Sequence, residues 1–377
     1  MLERIAQNGS PDQQAWAQAT LSDTASLRTE RLAVAMGEAP SQPMALAAEK
    51  TAGEVHRLVY SAENESRLPG KLVREEGQPA SGDVTVDEAY DGAGDTYRFY
   101  WDAYQRDSID GQGMNLLSTV HYQKNYDNAF WNGRQMVYGD GDAGLPPAQQ
   151  IFNRFTIALD VIGHELTHGV TQYEANLSYT GQSGALNESI SDVFGSLVKQ
   201  YRNRQSARDA DWVIGQGLFT ENVNGVGIRS MKAPGTAYND PVLGHDPQPA
   251  NMKDYVTTSQ DNGGVHINSG IPNYAFYVTA YELGGNAWEK AGKIWYVALT
   301  TKLSSSASFQ DAANATYQAA GELFGANGAE QKAVQKGWSE AGIQVNNGTT
   351  TVPPAPSTGS GSGCLTSLVS LFRSFSS

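Results

Sequence analysis

The spacing of apolar positions changes once along the chain, from strand-like before residue 150 to helix-like after it. Leu58-Val-Tyr60 and Lys71-Leu-Val73 read as short strands, separated by a polar stretch ending in Pro69-Gly70. A helix is predicted over 85–105, where Ala89, Tyr97, Tyr100, Trp101 and Tyr104 gather. Strands return at Leu116 to Tyr122, and then as Asn128-Ala-Phe-Trp131 and Gln135-Met-Val-Tyr138. These last two flank Asn132-Gly133, a dipeptide that favours a tight hairpin turn. Residues 57 to about 150 therefore read as mainly β.

Beyond residue 151 the apolar spacing becomes helical. Leu159, Ile162, Leu166 and Val170 form one face of a helix that should run buried through the molecule. The next helix is clearer, with Leu186, Ile190, Val193, Phe194, Leu197, Val198 and Tyr201 in one stripe and Glu188 and Asp192 together on the opposite face. Further helices are predicted around 270–284, 286–301, 308–323 and 329–340. The ends differ from this pattern. Scattered apolar residues over 1–36 suggest one or two short amphipathic helices, and 37–55 reads as a linker, so a detachable N-terminal segment is expected. After Ile343 a Pro/Ser/Gly linker (345–363) leads to a short amphipathic tail (364–377). The fold class is α+β: a propeptide-like segment and linker (1–56), a β-rich lobe (57–156) and a helical lobe (157–344).

Composition narrows the partners. A chain of 377 residues with 40% hydrophobic residues, seven Trp and 18 Tyr can build two cores. The net charge of -14 repels nucleic acid and anionic lipid. With Cys364 as the single cysteine, neither an internal disulfide nor a thiolate metal site is available. No stretch approaches the length of a membrane span. No basic segment followed by an apolar run marks a Sec-type signal peptide, which leaves a cytoplasmic protein or one exported by another route.

The candidate chemistry centres on His164-Glu-Leu-Thr-His168. Two histidines four residues apart on a helix point from the same face, so His164 and His168 can bind one metal through their ring nitrogens, with Glu165 in reach of a metal-bound water. Glu188, on the polar face of the following helix, is the candidate third ligand. Asp192, one turn further on, can fix the free ring nitrogen of His164. His266 and Asp261 sit in a glycine-marked loop before a helix. A carboxylate beside an imidazole favours its protonated, donor form, which suits stabilising an oxyanion. His56, His121 and His245 lack ligand spacing and read as structural or surface residues, and Asp140-Gly-Asp142 reads as a turn ending the hairpin.

Asn128-Ala-Phe-Trp-Asn-Gly133, His164 to His168, Gly184-Ala-Leu-Asn-Glu188 and Asp261 to His266 together resemble the thermolysin family of zinc metallopeptidases over residues 57–344. Residues 2–35 are similar, more weakly, to the propeptide of the protealysin-like branch. The resemblance implies a zinc cleft between the two lobes, floored by the helix of His164, and one zinc per chain on His164, His168 and Glu188. It makes Glu165 the base that deprotonates the attacking water and returns the proton to the leaving amine. Tyr179 and His266 become the oxyanion donors, Asp261 orients His266, and Arg229 holds a substrate carbonyl. The edge at Asn128 and Ala129 is expected to pair with substrate as an added strand. Phe152, Phe155, Val161, Ile214, Leu218 and Ile228 match the pocket for the residue after the scissile bond, so cleavage before bulky hydrophobic residues is expected.

Peptides and proteins are thus the expected substrates, the N-terminal segment the expected internal inhibitor, and a monomer secreted like its family the expected form. Two departures qualify this. Lys199, Val213 and Gln216 stand where acids of the family's double calcium site belong, beside Asp160 and Asp211, so that site is expected to be absent, while a weaker calcium site is left open. The proline-containing segment usual before the part that Leu2-Glu-Arg-Ile-Ala6 resembles is missing, which counts against self-inhibition. A zinc aminopeptidase would carry a Gly-x-Met-x-Asn segment, which this chain lacks. A non-catalytic zinc-dependent binding or adhesion protein would have no use for Glu165, Tyr179 and His266 together.

Overall fold

After Pro11, residues 12–35 are rich in Ala, Gln, Leu and Arg and contain neither glycine nor proline, and helix propensity carries this stretch further than its scattered apolar positions suggest. The structure, a computed structural model, describes residues 1–35 and 51–346, and the side chains of all of these except 25–35. Helix α1 (Leu2–Asn8) is short, but α2 (Pro11–Ala35) runs for 25 residues, with Pro11 at its first position; the expectation of only short helices here is corrected. Most of the linker expected at 37–55, the Pro/Ser/Gly linker and the amphipathic tail with Cys364 lie outside the described residues.

Strands β1 (Arg57–Ser61) and β2 (Lys71–Glu75) precede helix α3 (Val84–Tyr104), whose N-cap Asp83 accepts the backbone N–H of Thr85 at 2.9 Å. Strands β3 (Leu116–Val120), β4 (Ala129–Trp131) and β5 (Met136–Tyr138) complete a mixed sheet in the order β2-β1-β3-β5-β4. The β4–β5 hairpin forms where expected but closes through the four residues Asn132 to Gln135 rather than on Asn132-Gly133 alone, with Gly133 at φ 97 and Asn132 Oδ1 accepting the N–H groups of Arg134 and Gln135 at 3.0 Å. Residues 57–150 are less β-rich than their pattern implied. Each strand is at most five residues long, and α3, with 21, is as long as the five together. The strands are brief, β4 and β5 are buried at every position instead of alternating, and turn residues fill the gaps.

Helices α4 (Leu159–Tyr173) and α5 (Gly181–Asn203) carry the central layer. Two-stranded ribbons follow, β6 (Val213–Ile214) with β7 (Arg229–Ser230), and β8 (Asn239–Asp240) with β9 (Gly244–His245). Then come α6 (Asp261–Asn268), α7 (Gly270–Leu283), α8 (Ala291–Thr301), α9 (Phe309–Phe324) and α10 (Ala329–Glu340). Helix α8 begins at residue 291 and not 286, because Gly284 and Gly285 both take positive φ and break the chain after α7. The loop expected around Asp261 is a left-handed turn, Asn262-Gly263-Gly264 at φ 50, 88 and 78, which delivers His266 onto the short helix α6.

One apolar core runs from Val59 and Phe99 under the sheet through Leu166, Phe194 and Leu197 to Ile294 and Trp338. The boundary predicted at 156/157 falls in a 3-10 turn, Phe155–Ile157, directly before α4. Among the described residues no helix is long and apolar enough to cross a membrane.

Candidate metal centre

The site exists because α4 and α5 cross at two glycines. A Cβ on Gly195 would lie 2.3 Å from the Asp160 carbonyl oxygen and 2.9 Å from the His164 nitrogen, and one on Gly163 would lie 3.1 Å from the Gly195 Cα. Any side chain at either position would push the helices apart. With the backbones in contact, His164 and His168 on one helix face Glu188 and Asp192 on the other.

His164, His168 and Glu188 are all buried, and one ligand atom from each lies within 4.8 Å of the others. Glu188 Oε2 is 3.5 Å from His164 Nε2, and Glu188 Oε1 is 3.3 Å from His168 Nε2. The outward nitrogens are tied down. His164 Nδ1 bonds Asp192 Oδ1 at 2.8 Å, as the sequence suggested, while His168 Nδ1 bonds Asn187 Oδ1 at 2.7 Å and Ser191 Oγ at 3.0 Å. With Nδ1 so engaged, each Nε2 faces inward. Glu188 Oε2 is buried and accepts no hydrogen bond among the described residues. Two inward Nε2 atoms and a buried, underused carboxylate oxygen are the donor set of a three-ligand tetrahedral zinc, so these residues fit that metal.

Electrostatics sharpen the picture. Burial works against ionisation of Asp192, yet Arg229 and His164 pull its carboxyl down to about 2. Burial disfavours a charged His164, but Asp192 and Glu188 outweigh it and push the ring up to about 10. Glu188 is opposed by burial too, and His266 and His168 hold it well below the usual carboxylate range. Asp192 has more partners than the sequence implied. Arg229 grips it through two bonds of 2.7 and 2.6 Å, and Asn273 Nδ2 donates to it at 2.8 Å.

Tyr179, in the turn between α4 and α5, donates its hydroxyl to Glu188 and lies 3.1 Å from His266 Nε2. His266 Nδ1 and backbone N–H both bond Asp261, at 2.6 and 2.8 Å, and although burial opposes it His266 lowers the carboxyl of Asp261. On the far side Glu165 Oε1 is 4.0 Å from His164 Nε2, and Glu165 Oε2 accepts the Trp131 backbone N–H at 3.0 Å. Strand β4 is thus an edge strand whose outer side faces the metal helix. Asn128 Oδ1 accepts the Ala129 N–H at 3.0 Å, and its Nδ2 donates to Thr24 of α2 at 3.3 Å.

Of the six residues expected to line the pocket, all but Ile228 are buried, and the contacts among them fall into two groups. Phe152 and Phe155 have ring centroids 5.6 Å apart, Ile228 donates its N–H to Ile214 at 2.9 Å, and a Cβ on Gly215 would lie 2.9 Å from both Leu218 and Ile228. Gly215 in turn donates to Asp160 at 3.1 Å, one residue before Val161 on α4. Beside Asp160 and Asp211, Lys199 Nζ lies 2.7 Å from Asp160 Oδ2, 3.0 Å from Asp211 Oδ1 and 2.7 Å from the Val213 carbonyl, so a side chain supplies the positive charge there.

Sequence reasoning missed Asn187, Ser191, Trp131 and Asn273. The first two had a signal: Asn187 and Ser191 repeat, one residue earlier, the four-residue spacing of Glu188 and Asp192. Asn187 also opens an Asn-Glu-Ser glycosylation match, but it is 3% exposed and its Nδ2 donates to the Leu177 carbonyl at 3.0 Å, leaving no room for a glycan. The contacts of Trp131 and Asn273 depend on chain partners 34 and 81 residues away and had none. His121, read as structural, is held between Asp140 at 2.7 Å and Asp83 at 3.0 Å, and Asp142 accepts the N–H groups of Ile151 and Phe152 at 2.6 and 2.8 Å.

Comparison with known proteins agrees with this geometry. Residues 43–172 match the family profile described as thermolysin metallopeptidase, catalytic domain, and residues 175–343 match the one for its alpha-helical domain. An extracellular metalloprotease of Pectobacterium carotovorum subsp. carotovorum is 51% identical over 346 residues, covering 92% of this chain and 95% of the relative. A thermolysin of Alicyclobacillus acidocaldarius subsp. acidocaldarius is 40% identical, over 76% of this chain and 50% of its own. The solved precursor of protealysin, a metalloproteinase from Serratia proteamaculans, superposes with a TM-score of 0.80 at 52% identity, over 91% of this chain and 97% of that one. Profiles that tile most of the chain, and a precursor structure that spans nearly all of it, leave one assignment: the chain belongs to the thermolysin family of zinc metalloendopeptidases, in its protealysin-like branch.

Proposed function

We propose that the chain hydrolyses internal peptide bonds, preferring a bulky hydrophobic residue after the scissile bond. The observation that carries this is the flanking of one buried His-His-Glu donor set by a carboxylate, Glu165, on one side and the Tyr179–His266 pair on the other. A peptide laid along the outer edge of β4 would bond to Asn128 and Ala129, and its next side chain would enter the apolar pocket of Phe152, Phe155, Val161, Ile214, Leu218 and Ile228. His164, His168 and Glu188 would hold a zinc ion, which would supply Lewis acidity to the substrate carbonyl and to a water near neutral pH. Glu165 takes the proton from that water and returns it to the leaving nitrogen. Tyr179 Oη and His266 Nε2 donate to the carbonyl oxygen as it gains charge, with Asp261 holding the imidazole in place. Arg229, committed to Asp192 through two of its nitrogens, acts on substrate through what that grip leaves free and steadies the His164 side of the site.

Glu165→Gln should keep its zinc yet lose about 10²–10⁴-fold or more in turnover of a blocked peptide. Unchanged turnover would sink the mechanism. A zinc-loaded chain that bound a partner and hydrolysed nothing would favour the adhesion reading instead.

The N-terminal segment is proposed to hold the enzyme as a precursor. Asn8 of α1 bonds the Val242 carbonyl at 3.3 Å, Gln13 of α2 the Gln149 carbonyl at 2.7 Å, and Thr24 the Asn128 amide at 3.3 Å, so it bridges both lobes and occupies the edge assigned to substrate. Peptidase activity should rise as this segment is cleaved from the purified chain. Secretion is proposed from the name of the Pectobacterium relative, and recovery of the mature chain from culture medium would test it. The charge supplied by Lys199 supports the proposal that the double calcium site is not formed.

A further inference from the structure

Glu165 is gripped from across the cleft, and what sets that grip is not among the residues assigned above. Strand β4 is three residues long and lies at the sheet edge with β5 as its one neighbour, so pairing alone fixes its distance from α4 weakly. A second link does so. The Trp131 indole Nε1 donates to Gln172 Oε1 at 3.1 Å, and Gln172 Nε2 donates to the Gly133 carbonyl at 3.3 Å, so one amide on α4 holds both the end of the strand and its turn. The indole can approach because α4 carries a glycine beneath it. A Cβ on Gly169 would lie 3.1 Å from Trp131 Cε2 and Cζ2.

We propose that Gln172 is a positioning residue for Glu165, acting through Trp131: the amide fixes the height of β4 over α4 and so keeps the Trp131 N–H on Glu165 Oε2. That bond leaves Oε1 turned toward the metal site, 4.0 Å from His164 Nε2. A general base displaced by ~1 Å loses about 100-fold in rate, so even a small drift of a three-residue strand is costly. The proposal rests on the reading of Glu165 as the base.

The test uses the zinc-loaded chain and a blocked peptide, with Glu165→Gln run in parallel. Gln172→Leu removes both amide bonds, Trp131→Phe removes only the indole donor, and Gln172→Glu keeps an acceptor for the indole. Gln172→Leu and Trp131→Phe should each lower kcat about 10-fold, with KM within about twofold and zinc content unchanged. The double variant should fall no further than the worse single one, because both break the same link. Gln172→Glu should recover kcat to within about threefold of the parent. Full kcat in Trp131→Phe, a change confined to KM, or multiplicative losses in the double variant would each overturn the proposal. Should Gln172→Leu fail to fold, Trp131→Phe and Gln172→Glu decide it. If Glu165→Gln itself retained activity, the reading of the base would fall, which is a different result from an inert Gln172.

Discussion

Lys199 offers the sharpest test of how this molecule balances buried charge. Its ammonium lies 2.7 Å from Asp160 Oδ2 and 3.0 Å from Asp211 Oδ1, with the Asp160 side chain 2% exposed and that of Lys199 11% exposed. Burial pushes the Asp160 carboxyl upward even with Lys199 and the Gly215 N–H opposing it, and the two carboxylates in turn raise Lys199 against its own burial. Lys199→Met keeps the length of the side chain and removes the charge. Asp160 is then a buried carboxylate with no cation, a change that costs about 3–5 kcal/mol. In a protein of this size ~2 °C is lost per kcal/mol, so the unfolding midpoint should fall by about 6–10 °C at fixed scan rate. The deficit should shrink as pH falls toward the raised pKa of Asp160, because a protonated carboxyl no longer needs a partner. Added calcium should restore part of the midpoint in the variant, since Asp160, Asp211 and the Val213 carbonyl then offer oxygen ligands alone. A loss below about 1 kcal/mol, or one that does not vary with pH, would refute the argument.

The bond from Asp140 raises the pKa of His121 above that of a free imidazole, and although partial burial opposes this, the charges of Asp140 and Asp83 add to it. Its folded pKa exceeds the unfolded one, so the stabilisation is full below about pH 6.5 and is lost as pH rises through the folded value. The midpoint difference between the parent and His121→Gln should therefore narrow from pH 6 to pH 9 (about three units in all), and calorimetry across that range checks it. Phe194, fully buried among Tyr100, Tyr104 and Tyr296 at 5.7, 5.9 and 6.3 Å, should cost about 3–5 kcal/mol on truncation to Ala, read by denaturant unfolding. Asn187→Leu removes the 2.7 Å acceptor from His168 and leaves the Leu177 carbonyl without its donor. Zinc affinity should drop about 10–100-fold in a competition titration with a chromophoric chelator, and an unchanged affinity would make Asn187 a packing residue only.

Much of the site was legible because helix geometry is local. The spacing of His164 and His168, and of Glu188 and Asp192, places each pair on one face whatever the rest of the chain does; the stripe from Leu186 to Tyr201 marked one apolar face of α5, but the helix is buried on every side from Ser183 to Gln200. The hairpin was legible for the same reason, since Asn132 and Gly133 open its turn, although the loop runs on to Gln135. Where the reading fell short, local pattern was outweighed. The long α2 follows from summed propensity in a stretch of scattered apolar residues, and the β-rich impression of 57–150 came from strands too short to dominate it.

The sequence by itself determined the central helices and the ligand pairs they carry, because each depends on residues within a few positions of one another. Only the tertiary structure decided that Gly163 meets Gly195, that Asp192 is shared by His164, Arg229 and Asn273, and that Trp131 reaches across to Glu165. It also placed Thr24 on Asn128 and Lys199 between two buried carboxylates. The physical reason is that chain periodicity fixes the direction of a side chain relative to its own helix or strand. The partner it meets is set by how those elements pack, and that is settled by the close approach of backbones and by burial summed over the whole core.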